Sequence, residues 1–153
     1  MKPDAPKKIL AVASGGGHWV QLLRLLPAFD GCDIAFATVN CAYRPDVAQH
    51  RFYVVNDATR WNKFALLMMA IRLMWIVVRE QPDVIVSTGA APGYFALRLG
   101  RLAGIKTIWL DSIANVEHLS LSGQKIGRYA DLWLTQWPDL ASEEGPYFEG
   151  AVL

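Results

Sequence analysis

The sequence has almost no net charge and very few cysteines. Its 15 Lys and Arg residues are balanced by 14 Asp and Glu residues, leaving a formal net charge of +1 over 153 residues. This balance gives no electrostatic support for a nucleic-acid partner, because such a partner needs a basic surface. The two cysteines, Cys32 and Cys41, do not have metal-ligand spacing and are expected to be small, reduced core residues of a cytosolic protein. No metal or cofactor is expected.

The sequence also lacks a hydrophobic run long enough to cross a bilayer. The longest apolar stretch, 64–78, is interrupted only by Arg72. As a helix it would be about 22 Å long, whereas a membrane span needs roughly 20 apolar residues. The apolar run that follows Met1–Lys8 is too short for a signal peptide. Hydrophobic residues nevertheless make up 53% of the chain, and this excess suggests an apolar surface that a partner or a lipid bilayer covers.

Three widespread active-site signatures are missing. The segment Ser14–His18, with the sequence SGGGH, cannot be aligned with the dinucleotide fingerprint G-x-G-x-x-G. No Gly-Lys-Ser/Thr follows it, so it is not a Walker A phosphate loop. The nucleophile elbow G-x-S-x-G is absent as well, which argues against a hydrolase triad formed by Ser14, His18 and Asp111.

The sequence does contain a strand, a glycine loop and a helix close to its start. Ile9–Ala13 is a short continuous apolar run, typical of a strand buried on both faces. Three glycines follow, and then leucines at helical spacing as far as Pro27. Glycines allow a tight turn and the approach of an anion to the helix N-terminus. The loop is interpreted either as a plain turn or as a site, and His18 at the mouth of the helix favours a site.

The same alternation of strands and helices continues along the chain. Strands are predicted at 9–13, 33–39, 51–55, 83–87, 106–110 and 131–135, with 147–153 as a last short strand or a docked tail. Helices are predicted after the glycine loop, over 61–80, from the 88–93 loop to about 103, and over 122–129. This order predicts an α/β fold with a Rossmann-like, doubly wound and mainly parallel sheet, in a single domain over 1–153.

Ligands of such sheets bind beyond the carboxyl ends of the strands. The loops 14–18, 40–43, 88–93, 111–118 and 136–137 are therefore expected to converge on one crevice.

The candidates for proton transfer in this crevice are His18, Asp111 and Glu117. An imidazole can accept a proton at neutral pH, although His18 could also be a helix-capping residue held by backbone contacts. A carboxylate just after a strand is as often a loop-fixing residue as a base, so the sequence does not choose between them. The candidates for binding phosphate or acceptor are Ser14, Gly15, Gly16, Gly17, Thr88, Gly89, Asn115 and Ser122.

The segment Trp61–Glu80 allows two interpretations. It is either a crossover helix, hydrophobic nearly all round because it is buried nearly all round, or a helix partly sunk in the membrane interface. Arg72 and Arg79 are seven residues apart and share one stripe, whereas Trp75 and three methionines are expected elsewhere around the helix. The two interpretations are compatible if only one face enters the lipid. The residues expected to contact the membrane are Lys63, Arg72, Trp75 and Arg79.

Several segments together resemble one family. They are SGGGH at 14–18, STGAAPG at 87–93, WLDSIANVE at 109–117 with LSLSG at 119–123, and YAD at 129–131 with TQWP at 135–138. The chain is identified by them as a member of the PssD family of bacterial polysaccharide biosynthesis, which is related to the eukaryotic Alg-fourteen protein of asparagine-linked glycosylation. The resemblance covers nearly the whole chain and is most specific over 111–138. More distantly, the glycine loop is similar to that of MurG, which makes the peptidoglycan lipid intermediate.

The resemblance implies that the chain is the N-terminal, acceptor-side half of a GT-B glycosyltransferase divided into two chains. A separate partner resembling the C-terminal half would bind most of the UDP-sugar, so this chain would be active only with that partner. The acceptor would be a polyprenyl-diphosphate-linked sugar. The chain would lie peripherally on the cytoplasmic face of the inner (plasma) membrane. Eukaryotic members carry an N-terminal anchor that is not seen in this sequence, so attachment is expected to come from Trp61–Glu80.

The resemblance also suggests roles for the loops. The amides of Gly16 and Gly17 would cradle phosphate oxygens, and His18 would act as the base or orient the acceptor diphosphate. Asp111 and Glu117 are the competing bases. The alternative function is that of a non-catalytic membrane scaffold that only recruits the catalytic partner. Loop substitutions would then be tolerated, whereas changes in Trp61–Glu80 would not.

Overall fold

The computed structural model describes residues 5–152, so Leu153 of the predicted tail and the first four residues of Met1–Lys8 lie outside the described part. Within this described range, seven strands form one sheet: β1 (Lys8–Ala13), β2 (Asp33–Thr38), β3 (Arg51–Val54), β4 (Val84–Gly89), β5 (Lys106–Leu110), β6 (Leu132–Thr135) and β7 (Tyr147–Phe148). Their order is β3-β2-β1-β4-β5-β6-β7, and each neighbouring pair is parallel. The predicted Rossmann-like α/β fold is confirmed, and the tail contributes β7.

Between residues 5 and 152, four α-helices cover the two faces of this sheet: α1 (Gly17–Arg24), α2 (Lys63–Glu80), α3 (Ala90–Leu102) and α4 (Leu121–Ile126). Side chains of β1 alternate between the faces, since successive residues of a strand point to opposite sides. Ile9 and its alternate neighbours pack with Trp19 and Leu22 of α1. Leu10 and Val12 pack on the other face, in the core shared with α2, α3 and α4. The sheet is therefore the middle of three layers.

Groups with displaced pKa values lie at the amino edge of the sheet. The Arg51 guanidinium contacts Asp33 and Glu80, each at 2.9 Å. Its hydrogen bond holds the pKa of Asp33 below the usual value. Burial alone would raise the pKa of Asp131, but hydrogen bonds from Thr107 and two neighbouring cations outweigh this effect and lower it. These ion pairs tie the amino ends of β2, β3 and β5 to their neighbours, away from the edge where this fold binds ligands.

Short 3-10 turns account for two differences from the predicted elements, and one of these turns exposes a cysteine. The segment Cys41–Val47, expected to be a loop, is a 3-10 turn that buries Val47. It leaves Cys41 exposed, so the expectation that both cysteines are core residues is wrong for Cys41. The predicted helix 122–129 divides into α4 and the 3-10 turn Gly127–Tyr129.

The turn between β4 and α3 is much tighter than the loop predicted over 88–93. β4 continues to Gly89 and α3 begins at the next residue. Gly89 has a φ of 142° and Ala90 a φ of 65°, both in the region that favours glycine. Two successive residues with positive φ turn the strand directly into the helix, so no loop is needed.

Only one face of α2 is buried. Met69, Leu73 and Ile76 are fully buried against the sheet. The opposite side, called here the outer face of α2, consists of the exposed residues Phe64, Leu67, Met68, Ile71, Met74, Trp75 and Val78. The interpretation of α2 as a helix buried nearly all round is therefore wrong. Between residues 5 and 152, no helix combines the length and the hydrophobicity needed to cross a membrane.

Trp75 does not lie away from the two arginines, as the sequence suggested. The guanidinium carbons of Arg72 and Arg79 lie 4.5 Å and 5.3 Å from the centre of the Trp75 indole. Residues three and four positions apart are neighbours on a helix, so Trp75 shares the stripe of the two arginines. The three side chains form one border of the outer face of α2.

Candidate functional site

The loops at the carboxyl edge of the sheet do converge, as predicted. The hydroxyl of Tyr43 accepts a hydrogen bond from the Gly16 amide at 2.9 Å, which joins the 14–18 and 40–43 loops. His18 contacts Thr88, which joins the first of these to the end of β4. The Trp137 indole donates to the Ile113 carbonyl at 2.8 Å, which joins the 111–118 and 136–137 loops. Gln21, on the helix that follows the 14–18 loop, donates to the Ser112 hydroxyl at 3.2 Å and so joins these two groups of loops into one surface.

His18 is fixed by a pair of hydrogen bonds to one residue. Its Nδ1 lies 2.9 Å from the Thr88 carbonyl oxygen, and the Thr88 hydroxyl donates to the His18 carbonyl at 2.6 Å. A carbonyl oxygen can only accept, so Nδ1 must carry the proton. In the neutral ring the lone pair is then on Nε2. The half-buried imidazole is held by backbone, but this contact also prepares Nε2 to accept a proton.

Gly89 provides the space that the His18 ring occupies. A Cβ added at Gly89 would lie 2.4 Å from the imidazole, closer than real Cβ contacts come. Gly89 is also buried and has a positive φ. The glycine is therefore required both for the turn into α3 and for the position of His18.

The two predicted phosphate-cradling amides have different surroundings. Gly16 has a φ of 65° and caps α1 without a side-chain hydrogen bond. Its amide already donates to Tyr43, whose ring stacks on Trp19 at 5.0 Å. Gly17 opens α1, where backbone N–H groups have no carbonyl partner within the helix. In this structure the cradling role is therefore open to Gly17, whereas the Gly16 amide is occupied. Ser14 accepts from the Thr38 hydroxyl through its carbonyl, and Gly15 lies against the Tyr43 hydroxyl.

Asp111 is buried and its carboxylate accepts four hydrogen bonds. The donors are the Trp109 indole at 3.2 Å, the side-chain amide of Asn115 at 3.3 Å, the backbone amide of Ser120 at 2.9 Å and the Ser120 hydroxyl at 2.6 Å. Only 1% of the residue is exposed. A carboxylate that already accepts four bonds has little remaining capacity for a substrate proton. The geometry favours the loop-fixing alternative for Asp111, and it assigns the Asn115 side chain to the same arrangement.

The other predicted residues lie around this centre. Glu117 is exposed on the 111–118 loop, while Ser122 is half-buried in the first turn of α4. Thr88 is fully buried and acts through its bonds to His18. Over the described range, 5–152, histidine, cysteine, aspartate and glutamate side chains form no group of three or more that could hold a metal ion.

Sequence reasoning missed a buried amide pair beneath the crevice. Gln136 donates to Gln21 at 2.6 Å and to the Asp111 carbonyl at 2.9 Å. Gln21 in turn donates to the Ser112 hydroxyl at 3.2 Å and accepts from the Ile113 amide at 3.3 Å. The pair joins α1 to the loops after β5 and β6. The available signal was Gln21 itself, a polar residue between Trp19 and Leu22 on the buried face of α1.

Comparison with known proteins gives a consistent result. The family model described as "Oligosaccharide biosynthesis protein Alg14 like" matches residues 48–150. The "UDP-N-acetylglucosamine transferase subunit alg14" of Schizosaccharomyces pombe is 30% identical over 170 residues, which cover 93% of this chain and 81% of that protein. The human protein with the equivalent name is 28% identical over 188 residues, covering 90% and 79%.

Solved structures show the same fold within longer chains. Acinetobacter baumannii MurG matches with a TM-score of 0.76 at 17% identity, covering 95% of this chain and 46% of its own. The UDP-N-acetylglucosamine 2-epimerase of Rickettsia bellii matches with a TM-score of 0.68 at 10% identity, covering 88% and 40%. The chain therefore spans less than half the length of each of these proteins.

Proposed function

The chain belongs to the Alg14 family of oligosaccharide biosynthesis proteins, and we propose that it is the acceptor-side subunit of a two-component glycosyltransferase. As a member of this family it is a glycosyltransferase subunit. The proposal adds that a separate donor-binding chain completes the enzyme. It also adds that the acceptor is a sugar on polyprenyl diphosphate at a membrane surface. UDP-N-acetylglucosamine, named in the relatives, is the proposed donor.

The observation that carries the proposal is the position of His18 in an incomplete crevice. The imidazole is anchored through Nδ1 at the carboxyl edge of the sheet, and Nε2 is left as the proton acceptor. The described residues form one Rossmann-like unit, whereas the MurG chain that they match is more than twice as long by coverage. One half cannot close over a nucleotide-sugar, so the donor site is expected to be completed by the partner.

His18 would act on the acceptor hydroxyl. As the hydroxyl oxygen attacks the anomeric carbon, the bond from that carbon to the UDP oxygen breaks and the hydroxyl proton moves to Nε2. The Thr88 carbonyl stabilises the resulting imidazolium, because it accepts from the Nδ1–H that remains. Negative charge develops on the departing UDP, which the partner would bind. Glu117, exposed on a neighbouring loop, stays the competing base.

The first experiment measures sugar transfer from UDP-N-acetylglucosamine to a polyprenyl-diphosphate-sugar acceptor. It compares this chain alone, its donor-binding partner alone, and the two together. We expect transfer only from the pair, because each chain supplies one side of the crevice. Turnover by the isolated chain would contradict the divided-enzyme proposal. If the pair is active and substitutions at His18 and Glu117 are both tolerated, the scaffold alternative is correct.

The proposed membrane contact is carried by α2. Its outer face exposes seven large apolar side chains, of which Phe64 is 72% and Val78 67% exposed. An apolar stripe of this length is unusual on the surface of a soluble monomer. Arg72 and Arg79 border one side of it, and Lys63 stands at its N-terminal end. This combination of apolar face and basic border is typical of helices that lie in a membrane interface.

A charge reversal tests this contact. The double variant Arg72→Glu with Arg79→Glu is expected to bind vesicles containing anionic lipid at least about thirtyfold more weakly, since each cation contributes roughly 1 kcal/mol at such a surface. Co-sedimentation with the vesicles measures it. The control is Lys7→Glu with Arg24→Glu, which changes the net charge equally at positions outside the outer face of α2 and its basic border. Equal loss in both variants, or no loss in the first, would contradict a membrane contact through α2.

A further inference from the structure

A groove opens where the N-terminal ends of α2, α3 and α4 meet at the carboxyl edge of the sheet. It has a volume of about 290 Å³, and its walls include Leu66, Tyr94, Phe95 and Leu121. Two exposed cations, Arg60 and Lys125, also line it. We propose that this groove binds the prenyl-diphosphate part of the acceptor. Arg60 and Lys125 contact the diphosphate, and the walls hold the first isoprene units. This inference rests on the proposed function.

The walls of the groove favour an apolar ligand. Leu66, Tyr94 and Phe95 are only partly buried, and the Tyr94 and Phe95 rings meet edge to face at 5.5 Å. Leu121 exposes 61% of its surface, although its side chain is apolar. An alkyl chain placed here removes apolar surface from water on both partners, which a free sugar or inorganic pyrophosphate does not.

The charge of the groove favours a diphosphate. Among the described residues that line it, Arg60 and Lys125 are basic, Ser122 offers a hydroxyl and none is acidic. Two cations around one groove match the multiple charges of a diphosphate, and charge-assisted hydrogen bonds to them are the strong kind. Ala91 of the first turn of α3, a 13-residue helix, also lines the groove, so the positive end of the helix dipole adds to the charge of the two cations.

The groove also lies in the right place for a lipid-linked sugar. Ala91, on its wall, follows two residues after Gly89, against which the His18 ring packs. Leu66, which also lines the groove, is next in sequence to Leu67 of the outer face of α2. The groove therefore lies between the end of β4 that carries the His18 contact and the helix that carries the proposed membrane face. The volume is near the lower limit for ligand sites, so only the first isoprene units fit and the rest stays in lipid.

The test measures binding rather than transfer, with the full chain and without its partner. Inorganic pyrophosphate, dimethylallyl diphosphate and farnesyl diphosphate are titrated calorimetrically below the concentration at which the farnesyl compound forms micelles. We expect the affinity to rise along this series. Arg60→Gln and Lys125→Gln should each weaken farnesyl diphosphate about tenfold, while Lys7→Gln, at the opposite edge of the sheet, should not change it.

A second variant separates the lipid contact from the charge contact. Leu121→Ser removes an exposed apolar wall, so it should weaken farnesyl diphosphate several-fold and leave pyrophosphate unchanged. Equal affinity for pyrophosphate and farnesyl diphosphate, or unchanged binding in both cation variants, would overturn the proposal. A separate pull-down with the partner subunit uses the same two cation variants. If they lose the partner but keep farnesyl diphosphate, the groove is a subunit interface and the proposal is overturned. If the chain binds farnesyl diphosphate specifically but the pair does not transfer sugar, the groove proposal is supported and the proposed function is rejected. If the pair transfers sugar but the chain does not bind farnesyl diphosphate, the proposed function is supported and the groove proposal is rejected.

Discussion

Replacing His18 with asparagine is expected to lower sugar transfer by the assembled pair by about 10²- to 10⁴-fold, the usual contribution of a general base. The asparagine amide can still donate to the Thr88 carbonyl, which accepts from Nδ1 in the native chain. The fold and the binding of the partner should therefore be retained. Asparagine lacks the second ring nitrogen, so the proton of the acceptor hydroxyl has no acceptor. Initial rates at saturating donor and acceptor measure the effect.

Two further variants separate this role from a structural one. His118→Ala removes an exposed imidazole from a neighbouring loop and should leave transfer unchanged. Gly89→Ala keeps the His18 imidazole but places a Cβ 2.4 Å from it, so transfer should fall although the base is still present. Near-normal turnover by His18→Asn would remove His18 from the mechanism. If Glu117→Gln then lost sugar transfer, the base would be Glu117.

The fold could be predicted from the sequence because its strands have a clear sequence pattern. Short apolar runs such as Ile9–Ala13, alternating with helical segments, allow only a few arrangements, and parallel pairing follows from the helices between them. The convergence of the loops is then a consequence of the topology. The two-residue β7 and the tight turn at Gly89 were not predicted with equal accuracy. Strand β7 is too short to show periodicity. The turn at Gly89 depends on two successive positive φ values, which cannot be derived from the residue types.

The candidate site was predicted as a list of residues but not as a set of roles. Tyr43 and Gln21 hold the loops through hydrogen bonds to residues 27 and 91 positions away, and no local pattern indicates such partners. The exposure of the outer face of α2 could not be predicted either, because the same apolar sequence is expected for a helix covered by protein and for a helix covered by lipid. The hydrogen-bond partners and the exposed helix face depend on distances between residues, which the sequence does not contain.

The sequence leaves two roles open for Asp111, and its hydrogen bonds favour one of them. Its substitution has the largest expected effect on stability. Asp111→Ala should lower the free energy of unfolding by about 3 kcal/mol or more, because it leaves the Trp109 indole and the Ser120 amide without an acceptor. The loop from β5 to α4 would lose its fixed shape, since Ser120 is also the cap of α4 through Gly123. Denaturant unfolding of the purified chain measures it.

The same substitution discriminates between the roles left open for this carboxylate. If Asp111 fixes the loop, the isolated chain loses stability, and transfer by the pair falls only as far as folded chain is lost. If Asp111 is the base, transfer disappears while the unfolding curve is unchanged. Glu117→Ala is the matched control for stability, because an exposed carboxylate should change it by no more than about 0.5 kcal/mol. The four hydrogen bonds at Asp111 lead us to expect the first outcome, which leaves His18 and Glu117 as the competing bases of the crevice.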